Sequence, residues 1–140
     1  MARRPHFLVP LLEAPAGSRI LVTSRLDVPI ATHLEGAFDS PSRRRGLLGR
    51  TSFADGSALV IAPSGAVHTF GMQFPIDLVY TKRDGRIVKL RRSMPPNRIS
   101  AALNAFAVIE LPAGTIDRTG LIIGDVLEIR PEPQALSLEP

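Results

Sequence analysis

Apolar residues in this chain come in short runs cut by turn residues, without the long three-to-four spacing of packed helices. Positions 19–25 contain Ile20, Leu21, Val22 and Thr23 and read as a first strand. Positions 30–38 mix apolar residues with His33 and Glu35 and are taken as a second. Positions 58–61 form a continuous apolar strand, stopped by Pro63-Ser64-Gly65. Positions 76–81 and 86–91 flank Lys82-Arg83-Asp84-Gly85, and Asp-Gly between β-rich runs is a strong hairpin signal. Positions 105–111 and 126–129 supply two further strands.

Helical signals are few. Ser40 followed by Pro41 predicts a helix over 41–48, with Ser40 as N-cap, Pro41 at the first helical position and Gly49 past its end. A further helical turn is expected at 115–118, closed by Gly120. With no βαβ spacing and no internal repeat, the expected class is all-β or β-rich (α+β). The architecture would be a single compact β-sandwich or small barrel with one short helix. Residues 1–17 are expected to be a flexible arm, 18–131 the domain, and 132–140 a loose tail.

Composition supports that picture. A chain of 140 residues suits one domain, and one this size buries about two thirds of its unfolded surface. Thirteen prolines and eleven glycines suit short elements joined by turns. No cysteine is present, which excludes disulfides, thiolate metal sites and a cysteine nucleophile. The net charge of +4 comes from arginines spread along the chain, with small knots at Arg3-Arg4, Arg43-Arg44-Arg45 and Arg91-Arg92. With one tyrosine and no tryptophan, base stacking is poorly served, so nucleic acid is not the expected partner. No apolar run is long enough for a membrane span. The stretch Phe7–Leu12 holds a proline and runs into Glu13, so the N-terminus reads as an arm rather than a signal peptide. A cytoplasmic location is expected, with export as the alternative.

The segment from His68 to Tyr80 carries the most chemistry. It holds His68, Thr69, a turn at Gly71, Met72, Pro75, and Asp77 inside an apolar run. On a strand, Asp77 shares a face with Val79, while Ile76, Leu78 and Tyr80 share the other. A buried carboxylate must find hydrogen bonds or a cation, or its pKa rises. Asp77 is therefore either a structural pin, holding amides of the Gly71-Met72 turn, or a functional acid. Glu110 poses the same question on a stripe with Phe106 and Val108. Arg45 is the preferred partner for either carboxylate, because its guanidinium can fork onto one. His68 could form an acid–base pair with Asp77 or Glu110. No metal or other cofactor is expected. His6 and His33 lie in unrelated contexts, and no His-x-His or His-Glu-x-x-His spacing occurs. A serine-nucleophile elbow, a phosphate-binding loop and a dinucleotide fingerprint are also missing. Met72 and Phe74 suit core plugs, and Asp125 after Gly124 suits a turn.

Several separated pieces resemble one family in the right order. They are Arg45-Gly46-Leu47-Leu48-Gly49-Arg50, His68-Thr69-Phe70-Gly71-Met72 with Pro75-Ile76-Asp77, Glu110-Leu111-Pro112-Ala113-Gly114, and Gly124-Asp125. Together they resemble the domain of unknown function 192 family over about 43–129. Leu48 stands where that family usually has Met, and His-Thr-Phe-Gly-Met where many members have Trp-Met-Lys-Asn-Thr. The resemblance implies a compact β-rich domain of bacterial or archaeal type, with no established activity, cofactor or substrate. Many members are exported.

Three functions follow as expectations. The first is a non-catalytic module binding a small molecule or peptide, through a pocket of Arg45, His68, Thr69, Met72, Asp77 and Glu110. The second is a hydrolase-type enzyme using His68 and Asp77, and the third a protein-interaction module working through a sheet edge.

Overall fold

In the computed structural model, residues 6–13 and 19–133 are described. A five-stranded sheet organises them, in the order β2 (His33–Ala37), β3 (Ser57–Ile61), β8 (Ala107–Pro112), β5 (Ile76–Thr81), β6 (Ile87–Met94). β2 and β3 run parallel and the other neighbours antiparallel. Every residue of β5 and β8 is buried, as expected for central strands covered on both faces.

Each face carries its own apolar core. On one, Val79, Ile109 and Leu111 pack with Leu21, Leu127 and Ile129, which come from the two-stranded ribbon of β1 (Arg19–Thr23) and β9 (Leu127–Pro131). The other gathers Ile76, Leu78, Tyr80 and Val108 with Leu47, Val67 and Met72. Val67 lies in β4 (Ala66–His68), which pairs with β7 (Ile99–Ala101). The fold is β-rich, as the short runs predict, but the described strands form open sheets rather than a closed barrel. It has three short helices among the described residues rather than one: α1 (Val9–Glu13), α2 (Ser40–Arg45) and α3 (Thr115–Thr119).

Some expectations need correction. Within the expected arm, Leu8 and Leu11, just before and within α1, are buried in the first core, and the Phe7 amide donates to the Arg83 carbonyl at 2.8 Å. Burying those two leucines offsets the entropy of ordering the segment. Positions 1–5, 14–18 and 134–140 of the expected arm and tail lie outside the described residues. The N-cap of α2 is Asp39, not Ser40: its Oδ1 accepts the Ser42 amide at 2.7 Å. The helix stops at Gly46 rather than Gly49, because Gly46 takes φ 47°. β4 and β7 were not expected, since three residues are too few to show a period.

The Asp84-Gly85 hairpin forms, with the Lys82 amide donating to Arg86 at 3.0 Å. Gly85 has φ 90°, and a Cβ there would collide with the Leu127 carbonyl. The hairpin is thereby held against β9. No helix of the described residues is long and apolar enough to cross a membrane.

Candidate functional site

The loop after α2 places the site. Arg43, Arg44 and Arg45 fill the last turn of α2, where positive side chains complement the helix dipole. The turn at Gly46 then sends Leu47 into the second core, where it is 2% exposed. Leu48 is left at the surface, its Cδ2 facing Gly71. This strap passes over Glu110, whose Oε1 is the atom nearest to a Cβ built on Gly46.

Opposite the strap, β4 alternates in the usual way. Val67 points into the core, while His68 is exposed and stacks on Phe70 with ring centroids 5.5 Å apart. Between strap and β4 lies a cleft of about 310 Å³ lined by Arg43, Arg44, Arg45, His68, Met72 and Glu110, among others.

Glu110 is the unusual group. Its ladder partners are Leu59 on β3 and Leu78 on β5, so both lateral neighbours are apolar. The residue is 3% exposed. Oε2 is buried without a hydrogen-bond partner among the described residues. Burial pushes its pKa up from 4.5 to about 7, while the Arg50 charge pulls the other way. Arg50 itself is forked onto Glu35, at 3.1 and 2.7 Å.

The structure brings together Arg45, His68, Met72 and Glu110. It does not add Asp77 or Thr69 to the cleft. Asp77 pairs across the ladder with Leu111, on the opposite face of the sheet from Glu110. Its Oδ1 accepts the Ser93 amide at 2.8 Å and its Oδ2 the Ile116 amide at 2.9 Å. Those amides replace the expected ones of the Gly71-Met72 turn. Ile116 lies in the first turn of α3, where Gly114 offers no side-chain cap, so Asp77 supplies the missing acceptor from a strand. Among the described residues Asp77 makes no hydrogen bond to His68.

Thr69 is fully buried. Its hydroxyl donates to the Pro95 carbonyl at 2.7 Å and accepts the Arg98 amide at 3.0 Å, tying the motif loop to residues 95–98. Arg45, expected to pair with a carboxylate, is exposed and makes no ion pair with Asp77 or Glu110. The last turn of a surface helix leaves its guanidinium to solvent.

Sequence reasoning missed Arg25 and Arg50. Arg25 forks onto Asp125 at 2.7 and 2.8 Å, across a hundred positions of sequence. Asp125 also accepts the Ile122 amide at 3.0 Å, which fits the turn role expected of it. Nothing in the local pattern marks Arg25, whereas Arg50 closes the Arg45-to-Arg50 element that carries the family resemblance. Among the described residues no group of three or more histidine and acidic side chains could hold a metal ion.

Two solved structures are similar to this one. A protein named as a "putative transcription regulator", from Sinorhizobium meliloti 1021, has a TM-score of 0.71 and 21% identity. The match covers 91% of this chain and 97% of that one. A protein of unknown function from Novosphingobium aromaticivorans DSM 12444 has a TM-score of 0.67 and 19% identity, over 91% of this chain and 93% of its own. Identities this low show a shared fold and nothing of function. No curated protein matches the chain. The family described as an uncharacterized ACR, domain of unknown function 192, matches residues 22–129, and this chain belongs to it.

Proposed function

We propose that the domain is a binding module for a small polar molecule, held in the cleft between the α2 strap and β4. One observation carries this reading: a buried carboxyl group, Glu110, has an oxygen without a hydrogen-bond partner among the described residues and lines an open cleft. Buried polar atoms in folded proteins are nearly always satisfied, and an exception is explained by an absent partner. A ligand donor in the cleft would meet the Glu110 carboxyl group, whose Oε1 lies beside Gly46 of the strap. The cleft volume falls at the lower end of the range for small-molecule sites.

Two other readings have less support. A hydrolase using His68 and Asp77 needs them in one site, but Asp77 does not line the cleft and its oxygens accept the Ser93 and Ile116 amides on the far face. A sheet-edge interaction module would have to pair along an outer strand such as β6, which carries Lys89, Arg91 and Arg92. Such charges discourage edge pairing.

The test is an amide-shift NMR screen of the isotope-labelled chain against a library of small polar fragments. Fragments that bind are expected to move the amides of Gly46, His68 and Glu110. Glu110→Gln should weaken them about tenfold or more, the usual worth of a hydrogen bond to a charged group. Fragments that map elsewhere, or bind the variant equally well, would remove the reading.

A further inference from the structure

The cleft is lined by charges of both signs, one buried and the others exposed. Its floor is Glu110, a side chain that only accepts hydrogen bonds once ionised. Its rim carries three arginines from one turn of helix. Arg43 is engaged, donating to the Phe38 carbonyl at 2.6 Å and the Ser40 hydroxyl at 3.1 Å. The side chains of Arg44 and Arg45 are exposed and make no hydrogen bond or ion pair among the described residues, though the Arg45 charge helps hold the Asp39 carboxyl below its ordinary pKa. Between floor and rim, Val67 and Met72 give the walls an apolar stretch.

Resting on the binding reading above, we infer that the ligand is a small free zwitterion. Its cationic nitrogen reaches Glu110 and its anionic group meets Arg44 and Arg45.

Charge order decides between ligand classes. A simple cation matches the floor but must pass three like charges at the rim, and like-charge contact is a strong discriminator. A simple anion matches the rim but brings its charge toward an ionised carboxylate in an apolar seat. A molecule with both charges, cation inward, meets each end with its complement. Arginine at the rim suits a planar carboxylate or a phosphate, which it can grip with two parallel N–H groups. The cleft volume equals about ten water molecules, so the ligand is of amino-acid or dipeptide size. A protein terminus carries only one of the two charges and does not meet both ends.

The experiment is an amide-shift titration of the full chain at about pH 7.5, where Glu110 is mostly ionised and an α-amino group is still mostly protonated. Three probes of one scaffold are compared: glycylglycine, its N-acetyl derivative, which lacks the cation, and its C-terminal amide, which lacks the anion. Glycylglycine should shift Gly46, His68 and Glu110, and each blocked probe should bind about tenfold more weakly or worse. Glu110→Gln should erase the penalty for acetylation. The double variant Arg44→Ala, Arg45→Ala should erase the penalty for amidation. Both changes leave the apolar packing untouched, and the amide spectrum reports whether each variant is folded.

If a blocked probe binds the cleft as well as glycylglycine does, the zwitterion class falls while the binding reading stands. If none of the three shifts the cleft amides, the zwitterion class falls. If the fragment screen described above is then also silent, the binding reading falls with it.

Discussion

Asp77 and Glu110 sit on neighbouring strands one ladder position apart, and they face opposite sides of the sheet. Asp77 has 0% exposure and Glu110 3%, so burial does not separate them. Partners do. Asp77 accepts two backbone amides, one from the end of β6 and one from the first turn of α3. Glu110 lies between Leu59 and Leu78 with Oε2 unpaired. One carboxyl group is closed into the architecture, and the other is held over open volume. A buried carboxyl group without a partner costs stability when it ionises, and that cost is what the proposed binding role would offset.

The largest expected effect follows from breaking the closed side. Asp77→Ala would strip the acceptor from two amides and leave α3 without a cap. Hydrogen bonds to charged groups are worth roughly 1.5–3 kcal/mol each, so a loss of about 3–6 kcal/mol is expected in urea unfolding. Asp77→Asn, which keeps one acceptor oxygen, should lose less. Ligand shifts at Gly46 and His68 should persist in Asp77→Asn at concentrations where it is folded. Unchanged stability in Asp77→Ala would end the structural account of Asp77.

The open side should behave in the opposite way, and with pH. The pKa of Glu110 in the folded chain is about 7, against 4.5 for an ordinary glutamate. Between those values the folded state holds a proton that the unfolded state has released. Stability therefore falls as pH rises through this window, and the loss is complete above it. A separation of this size corresponds to about 3 kcal/mol. Glu110→Gln does not titrate, so its stability relative to wild type should improve by about 2–3 kcal/mol between about pH 5 and about pH 8. Paired thermal melts at the two pH values measure this. A flat difference would mean that Glu110 finds a partner in solution and that the contrast with Asp77 is false.

The same pair shows what was legible in the sequence. Strand alternation correctly placed Asp77 with Val79 and Glu110 with Val108, because a period of two assigns faces without any tertiary knowledge. It could not say that adjacent strands turn these acids to opposite faces, because the β5–β8 register is set by packing. The amides of Ser93 and Ile116 were hidden for a similar reason: a backbone donor has no residue-type signature. Arg45 was a reasonable partner by chemistry, yet the turn at Gly46 separates its exposed side chain from the Leu47 plug. The hairpin, the turns and the β-rich class depend on local residue preferences, and these the pattern reads directly. In the N-terminal segment Pro10 and Glu13 argued against a signal peptide and so for an arm, and α1 is a single short helix that holds both.

The smallest effect asks how isolated Glu110 is. Arg50 is the cation whose charge lowers the Glu110 pKa against burial. Its guanidinium is forked onto Glu35, and both side chains are well exposed. Arg50→Ala should therefore change stability by less than about 1 kcal/mol, as exposed pairs do. The Glu110 pKa should still rise, by less than about one pH unit, because the charge that opposes burial among the described residues has gone. Carbon-detected NMR of the Glu110 carboxyl would follow it directly. The informative control is Arg45→Ala. If Arg45 moves the titration as much as Arg50 does, the rim arginines reach the floor electrostatically even without a ligand, and the cleft is partly self-neutralised. If only Arg50 moves it, the charges at rim and floor are independent, and a molecule that bridges them gains from both.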